Sequence, residues 1–456
     1  MRSPGNGVPP PLVLRGGTIL TLDPGATVLR GGDLVIEGGR VRAATAAARL
    51  PPTGARVLDV SGSIVLPGLV QGHLHLGQTL FRGLAEGRAL LPWLRERIWP
   101  LEAAHDDESA YWSALLGAAE CLLGGTTTVQ DIGLGPGARG LLRGILDSGL
   151  RAVAGKCLMD SGESLPAALR EDTEGALTAT ADLGAEFDGA GGGRLRYALN
   201  PRFILTCSDA LWRGIRELAE ARGWPVHTHA LEQREEGERV RALKAGRDEI
   251  EYFDDQGILG ADLRVAHGVW LEAGHLVRVA KRRFSVVHCP SSNLKLGSGV
   301  ADVVGLRAAG VPVGVGADGA ACSNQLDGFQ ELRLAALLQS WRRGPGALTG
   351  LDALRLGTSE GACAVGLGGE TGSLEPGKLA DVAVLDAGRP ELWCAPGVDP
   401  HDAVVWSAGR AAVRHVLVGG ELVVEDGRLT RLDLDEIRRR STAAVADLLR
   451  RSEVPA

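Results

Sequence analysis

Two histidines one residue apart, His73 and His75, end an apolar run that begins at Val65. Side chains alternate across a β-strand, so both imidazoles lie on the same side of its C-terminal end, where a shared cation could bind. One such pair is weak evidence, because histidines that only cap strands by hydrogen bonding look the same. A recurring set of such residues at strand ends would favour a metal site on a barrel rim.

Four later strand-like runs also end in histidine or a carboxylate. These residues are His229 with Glu232, His267, His288 and Asp318. Neutral imidazoles and a carboxylate suit a zinc-like ion, which lowers the pKa of a bound water toward neutrality and so makes hydroxide available as a nucleophile. The candidate ligands, three nitrogens and one oxygen, are His73, His75, His229 and Asp318.

The neighbouring polar residues suggest roles in proton transfer. Glu232 lies three residues beyond His229, close enough to a metal to move protons without binding it. His227 shares a strand face with His229, and spacing alone leaves either as the ligand. His267 could hydrogen-bond the nucleophile or the developing tetrahedral centre, and His288 is either an orienting residue or a plain strand cap.

The middle of the chain alternates strand-like runs with longer helical stretches. The strand-like runs are 64–70, 126–131, 151–159, 195–200, 225–229, 264–267, 285–288 and 311–318, and the helical stretches include 108–123, 210–222 and 275–281. Eight β-then-α units with polar residues after the strands predict an α/β fold, a (β/α)8 TIM-type barrel. A doubly wound open sheet is the alternative, but no Gly-x-Gly-x-x-Gly follows the first strand.

Both chain ends are rich in short β-strands with double-glycine turns, Gly38-Gly39 and Gly419-Gly420. Glycines supply the positive φ that a tight hairpin needs. Neither end can bury its apolar face alone, so we expect the two to pair into one small β-sandwich beside the barrel. The predicted parts are 1–62 and 372–434 for the sandwich, 63–371 for the metal-dependent barrel and 435–456 for an amphipathic C-terminal helix.

Composition narrows the class of function. The 456 residues are 45% apolar, enough for a large core, and the net charge of −7 is spread among interspersed acidic and basic residues. This pattern argues against nucleic-acid and membrane-surface partners.

Residues 1–11 contain no apolar signal-peptide core, and no later run approaches the roughly 18 residues of a membrane span. Seven scattered cysteines without a Cys-x-x-Cys pair argue against a disulfide framework. We expect a cytoplasmic enzyme with a small-molecule substrate.

Other residues have ordinary explanations. Lys156 could bridge two metals if carbamylated, but we predict a structural or surface lysine. Four histidines in helical or peripheral segments are expected to face solvent: His105, His275, His401 and His415. Three aromatic residues could stack on a planar ring, although core packing is the commoner role: Phe81, Trp93 and Trp99. Glu102 follows Trp99-Pro100 and is by default a solvated carboxylate in a loop.

Five segments resemble the amidohydrolase superfamily: 66–75, 227–232, 266–268, 288–293 and 316–319. Within it they are similar to the branch that holds guanine, triazine and adenosine-type aminohydrolases, and the resemblance runs nearly end to end through 372–382. More narrowly, four further pieces are similar to the 5'-deoxyadenosine, 5'-methylthioadenosine and S-adenosylhomocysteine deaminases: 79–86, Trp93, 98–102 and 155–160.

This resemblance implies one divalent metal per chain, most readily Zn2+, with Fe2+ as the alternative. It favours His229 over His227 as the ligand that completes the set His73, His75 and Asp318. It implies that Glu232 protonates a purine ring nitrogen and that Asp318 takes a proton from water. It further implies that His267 polarises the reacting centre.

The resemblance also implies residues that contact the substrate. Glu102 would hold ribose hydroxyls, contrary to its default interpretation. Arg202 stands where related enzymes that bind S-adenosylhomocysteine have a histidine, so it is a candidate substrate contact whose presence leaves the 5' substituent open. Trp93 and His288 are further candidates.

The implied reaction is hydrolytic deamination of an adenine nucleoside at C6, with release of ammonia. One alternative is deamination or dechlorination of a free heterocycle such as guanine, 8-oxoguanine or a triazine. A second is a non-catalytic metal-binding scaffold, and a binuclear hydrolase is made less favourable by the position of Lys156. Family analogy adds the expectation of a homo-oligomer.

Overall fold

The computed structural model describes residues 10–46, 52–452 and 454. The predicted ranges 1–62 and 435–456, and the N-terminal stretch considered for a signal peptide, extend over residues outside this part. Those residues are 1–9, 47–51, 453 and 455–456.

The secondary structure of the described residues begins with a β-rich end and then alternates strands with helices. In chain order the strands are β1 (Leu12–Leu20), β2 (Val28–Glu37), β3 (Arg40–Ala46), β4 (Arg56–Asp59), β5 (Ser63–Pro67), β6 (Leu69–His75), β7 (Thr126–Asp131), β8 (Arg151–Ala154), β9 (Cys157–Leu158), β10 (Leu195–Tyr197), β11 (Asn200–Pro201), β12 (Val226–Ala230), β13 (Leu263–His267), β14 (Phe284–His288), β15 (Val313–Val315), β16 (Asp318–Gly319), β17 (Val382–Asp386), β18 (Val413–Val418), β19 (Glu421–Glu425) and β20 (Arg428–Leu429). The α-helices are α1 (Leu90–Trp93), α2 (Trp99–Ala103), α3 (Asp107–Leu123), α4 (Ala138–Ser148), α5 (Thr173–Phe187), α6 (Ala190–Gly193), α7 (Asp209–Arg222), α8 (Arg234–Leu243), α9 (Glu249–Asp255), α10 (Ala273–Val279), α11 (Pro290–Lys295), α12 (Val303–Ala308), α13 (Gly328–Arg343), α14 (Gly350–Leu356), α15 (Ser359–Ala364), α16 (Pro400–Ser407) and α17 (Leu434–Ser452).

The central strands form a closed parallel barrel. Their order is β10-β8-β7-β6-β15-β14-β13-β12, and a bridge between Leu199 and Val226 joins the two ends of the sheet. The predicted (β/α)8 barrel is therefore confirmed. Residues of β7, β12, β13 and β14 are buried throughout, as expected for strands that have helices outside and side chains packed inside.

One predicted strand, 64–70, is divided between two sheets. β5 pairs with β1 and β17, whereas β6 begins the barrel. Gly68 lies between them, and a Cβ there would be 2.1 Å from the Thr127 side chain. The two halves are equally buried, so the apolar run by itself carried no sign of the division.

Strands of both chain ends form the second sheet, as predicted, in the order β20-β19-β18-β17-β5-β1-β2-β3, with β4 beside β1. The turn glycines Gly38 and Gly39 have φ of 56° and 76°. Leu14, Ile36 and Val382 belong to one apolar cluster, so both ends contribute to a common core. The division of the chain into ranges stays a prediction, and β5, which it assigns to the barrel, pairs in this sheet.

The C-terminal helix α17 packs against α3, where Ile437 joins Leu115 and Ala119 in one buried cluster. Further along, Leu448 is buried in the cluster that contains Trp99, next to the barrel mouth. Within the described part of the chain, no helix combines the length and the apolar character needed to cross a bilayer.

Candidate metal centre and active site

Four side chains converge where the barrel strands end: His73, His75, His229 and Asp318. Each offers one ligand atom, and these atoms lie within 4.8 Å of one another. Asp318 Oδ1 is 3.3 Å from His73 Nε2 and 3.2 Å from His75 Nε2, and His75 Nε2 is 3.0 Å from His229 Nε2. Zinc ligands bound tetrahedrally at about 2.1 Å would be separated by about 3.4 Å. The spacing of these four atoms therefore fits a single divalent ion.

Contacts at the opposite ring nitrogens orient two of these imidazoles. His229 Nδ1 donates to the backbone carbonyl of Arg202 at 2.7 Å, which leaves its Nε2 with a free lone pair. His73 Nδ1 lies 3.0 Å from Nε2 of His227. Such contacts hold metal-binding histidines in the required tautomer and orientation. His227 thus lies behind a candidate ligand and outside the ligand set.

The backbone at two strand ends is strained. Asp318 and His267 have φ of 60° and 74°, in the left-handed region that costs residues other than glycine about 1–3 kcal/mol each. Gly316 precedes Asp318, and a Cβ there would lie 2.5 Å from the backbone oxygen of His73. The chain at residue 316 therefore approaches β6 so closely that only glycine fits there. β16, which begins at Asp318, pairs with β6, so the Asp318 side chain is turned toward that strand.

Burial sets the charge of the donor atoms. It lowers the pKa of His73, and it lowers the pKa of His75 and His229 well below 6.5, so these imidazoles are neutral at pH 7. Burial alone would raise the pKa of Asp318, but the contacts with His73 and His75 outweigh it and hold that pKa well below 3.8. Three neutral imidazoles and one carboxylate match the chemistry of a zinc site.

Glu232 is buried beside this cluster. Its Oε1 accepts a hydrogen bond from Ser298 Oγ at 3.3 Å, and its Oε2 is 3.4 Å from His267 Nε2. Burial and then the charge of Asp318 raise the pKa of Glu232 to about 8. At pH 7 this carboxyl group is therefore mostly protonated and able to donate a proton. His267 is oriented by Asn293, whose Oδ1 is 2.9 Å from His267 Nδ1.

Glu102 and Arg202 form a buried ion pair on another side of the site. They are 1% and 3% exposed, and Arg202 Nη1 is 2.9 and 2.7 Å from the two carboxylate oxygens of Glu102. Gln78 Nε2 also donates to Glu102 at 2.8 Å and lies 3.1 Å from His75 Nδ1. The default interpretation of Glu102 as a solvated loop carboxylate is wrong, because Glu102 lies in α2 and its partner is 100 residues further along the chain.

A cavity with an empty volume of about 350 Å³ opens onto these groups. Site residues expected from the sequence that line it are His75, Trp93, Arg202, His229, Glu232, His267 and Asp318. Apolar residues that the sequence did not indicate complete the lining: Leu90, Leu94, Phe203 and Leu296. Small ligands bind in clefts of this kind, which combine apolar walls with a few polar groups.

The comparisons with known proteins agree with this geometry. Residues 64–423 match the Amidohydrolase family. The chain belongs to this family. It is 37% identical over 424 residues, 92% of this chain and 95% of the relative, to a 5'-deoxyadenosine deaminase of Methanothermobacter thermautotrophicus. A 5-methylthioadenosine/S-adenosylhomocysteine deaminase of Symbiobacterium thermophilum is 36% identical over 443 residues, 96% of this chain and 99% of the relative.

A solved structure is similar to this amidohydrolase over its whole length. It is an adenosine deaminase from Xanthomonas campestris with bound zinc, with a TM-score of 0.89 and 30% identity over 96% of this chain and 98% of the other. The amidohydrolase is a hydrolase that acts on C–N bonds, a deaminase. The alternative of a non-catalytic scaffold is therefore wrong.

Four residues of the amidohydrolase considered in the sequence lie outside the cavity lining. His288 is buried at the end of β14 and does not line the cavity, and its ring nitrogens have no hydrogen-bond partner among the described residues. Lys156 is buried and pairs with Glu171, so the structural interpretation holds and the surface one does not. Phe81 and Trp99 pack in the core.

The expectation of solvent-facing histidines is wrong for His105, His275, His401 and His415, all of which are buried. The Nδ1 atom of each contacts a polar group; His105 Nδ1, for example, is 2.9 Å from Ser109 Oγ. His105, His275 and His401 lie at helix ends, which also bury polar side chains that satisfy backbone groups. His415 lies in β18, where it is covered by the sheet and its neighbours.

Proposed function

We propose that this amidohydrolase removes the 6-amino group of an adenine nucleoside, namely 5'-deoxyadenosine, 5'-methylthioadenosine, S-adenosylhomocysteine or adenosine. The observation that carries the proposal is the buried carboxyl group of Glu232 beside a four-residue donor set for a divalent ion. Relatives 36–37% identical over most of the chain, named as deaminases of such nucleosides, support the substrate class.

The proposed metal, one per chain, is Zn2+, with Fe2+ as the alternative, held by His73, His75, His229 and Asp318. When bound, such an ion supplies Lewis-acid chemistry that makes hydroxide available at neutral pH.

The protein side chains would manage the protons. Glu232 donates its proton to a ring nitrogen, which makes C6 electrophilic. Asp318 accepts the proton that water loses, while Ser292 Oγ donates a hydrogen bond to Asp318 Oδ2 at 2.6 Å. His267, held by Asn293, presents Nε2 between Glu232 at 3.4 Å and Asp318 at 4.0 Å, and would polarise the reacting centre.

At the substrate end, Glu102 would hold ribose hydroxyls and Trp93 would stack on the purine ring. Arg202 lines the cavity and would contact the substrate directly, besides holding Glu102. A substrate contact by His288 stays a prediction, as do a cytoplasmic location and a homo-oligomer.

A second candidate function is deamination or dechlorination of a free heterocycle such as guanine, 8-oxoguanine or a triazine. Two observations favour it. Both carboxylate oxygens of Glu102 are bound by Arg202, and Glu102 does not line the cavity, so no free carboxylate faces the space where a ribose would lie. The apolar lining of the cavity, Leu90, Leu94, Phe203 and Leu296 beside Trp93, also suits a planar heterocycle.

One experiment separates the two functions. Purified protein of known metal content is assayed for ammonia and for the ultraviolet change of deamination with adenosine, 5'-deoxyadenosine, 5'-methylthioadenosine, S-adenosylhomocysteine, guanine and 8-oxoguanine. Turnover of a nucleoside with kcat/KM at least tenfold above that of every free base is the expected result. Turnover of free bases alone would overturn the nucleoside proposal and support the second candidate.

A further inference from the structure

Two more buried glutamates lie behind Glu232. Glu236 is in the first turn of α8 and Glu249 is the first residue of α9, and they are 1% and 2% exposed. The charge of Glu236 adds to burial in raising the pKa of Glu249. Among the described residues neither forms an ion pair with a basic side chain. An acid pair buried in this way is costly unless its polar atoms are satisfied by other groups.

The two carboxyl groups accept hydrogen bonds from the backbone N–H groups of three consecutive residues. Leu231 N donates to Glu249 Oε1 at 3.1 Å, and the N–H groups of Glu232 and Gln233 donate to Glu236 Oε2 at 3.0 and 3.3 Å. An ordinary helix capping box accounts only for the contact with Gln233, the residue before α8. The other two contacts hold the segment that carries Glu232.

This segment needs support, because its backbone is strained. Leu231 has φ of 57°, a left-handed conformation that costs a branched residue about 1–3 kcal/mol and persists only when surrounding contacts hold it. The positive φ makes the chain turn sharply after β12, so that Glu232 lies over the barrel mouth. The Leu231 N–H bonded to Glu249 is at the centre of that turn.

Two acidic side chains buried close together favour the protonated form of at least one of them, because burial and a neighbouring like charge both disfavour the carboxylate. Burial, followed by the neighbouring acidic groups, raises the pKa of Glu236 to about 7 and raises that of Glu249 well above 4.5. A groove reaches Glu249 from solvent; its charged and titratable lining residues are Arg234, Glu238, Arg241, Asp248, Glu272 and His275.

We propose that Glu236 and Glu249 are positioning residues for Glu232. Together they hold the backbone of residues 231–233, which fixes the Glu232 carboxyl group relative to the reacting ring. The proposal rests on the proposed role of Glu232 as proton donor. Misplacing a catalytic group by about 1 Å can cost about 100-fold in rate, so loosening this segment should lower kcat while KM stays the same.

The test compares four variants of the metal-loaded enzyme. Glu236→Ala and Glu249→Ala should each lower kcat about 10- to 100-fold, with KM and metal per chain within twofold of the wild type. Glu249→Gln should retain kcat within about threefold, because its amide oxygen can still accept the hydrogen bond from Leu231 N. Glu238→Gln is the control. Glu238 is exposed and lies in α8, as Glu236 does, and its substitution should leave kcat, KM and metal per chain unchanged.

Amide exchange tests the support of this segment without substrate. Exchange at residues 231–233 should be at least tenfold faster in Glu249→Ala than in Glu249→Gln. Unchanged kcat in both alanine variants, failure of glutamine to retain it, or equal amide exchange in Glu249→Ala and Glu249→Gln would each overturn the proposal.

The design distinguishes this proposal from the proposed function. If the wild type deaminates no adenine nucleoside, the proposed function fails, and the amide exchange still decides whether the two glutamates hold residues 231–233. If the alanine variants do not fold, Glu249→Asp takes their place, since its shorter side chain places the carboxyl group farther from Leu231 N. Then kcat should fall in Glu249→Asp and be retained in Glu249→Gln.

Discussion

Two walls of the cavity are built in different ways. The strand-end wall consists of His75, His229, His267 and Asp318, with the fully buried His73 beside them, at the ends of parallel strands whose hydrogen bonds hold their backbones. The helical wall is residues 90–103, made of α1, a π-helical turn at Leu94–Ile98 and α2, and it contributes Leu90, Trp93 and Leu94 to the cavity.

The two walls contribute different groups to the site. The strand-end wall holds the donor atoms for a metal and the proton-handling groups, which need fixed geometry. The helical wall contributes apolar surface and, through Glu102, one half of a buried ion pair whose other half belongs to the barrel. We therefore expect the chemistry to depend on the strand ends, and selection of the substrate to depend on the helical wall and its contact with Arg202.

The largest effect is expected on the strand-end side, from Glu232→Gln. General acid–base groups contribute about 100- to 10,000-fold in rate, so kcat should fall by that factor while metal per chain stays constant. The raised pKa of Glu232, about 8, also predicts that wild-type kcat falls as pH rises above 8, because the proton donor is then lost. A variant that keeps wild-type kcat would contradict the assigned role.

The next largest effect is expected when a substitution breaks the contact between the two walls. Glu102→Leu leaves the buried guanidinium of Arg202 without its partner and should lower the free energy of unfolding by about 3–5 kcal/mol. Adding Arg202→Met should restore most of that loss, measured by denaturant titration. Glu96→Gln, which breaks an exposed pair with Arg88, is the control and should cost less than about 1 kcal/mol. Equal losses in all three would refute a special role for the buried pair.

A smaller effect, on metal affinity, is expected from His227, which lies behind the candidate ligand His73. His227→Phe removes the contact with His73 Nδ1 and should weaken metal binding about 10- to 100-fold. Competition with a chromophoric chelator measures this affinity without any substrate. His288→Leu, a buried histidine with no hydrogen-bond partner among the described residues, should leave the affinity unchanged.

The smallest effect concerns the helical wall alone. Trp93→Leu removes the proposed stacking surface, and aromatic contacts of this kind are worth about 0.5–1.5 kcal/mol, so KM should rise about 2- to 10-fold with kcat little changed. Trp341→Leu, at a side chain that is 77% exposed, serves as the matched control. A fall in kcat larger than the rise in KM would show that the helical wall takes part in the chemistry.

The strand-end wall could be predicted well because its signal is local. His73 and His75 are one residue apart on one strand, and each later candidate closes its own apolar run, so the parallel barrel brings them to the same end. Gln78 was missed although it lies only three residues after His75. Its hydrogen bond to Glu102 offered no pattern in the sequence.

The sequence by itself determined the barrel, the pairing of both chain ends in one sheet and the candidate metal ligands, because strand periodicity and strand-end residues are local features of the chain. Tertiary structure alone decided the burial of Glu102, the division of 64–70 between two sheets and the support of Glu232 by Glu236 and Glu249. These depend on contacts between distant segments, and a residue's local sequence carries no information about which distant group will neutralise or bury it.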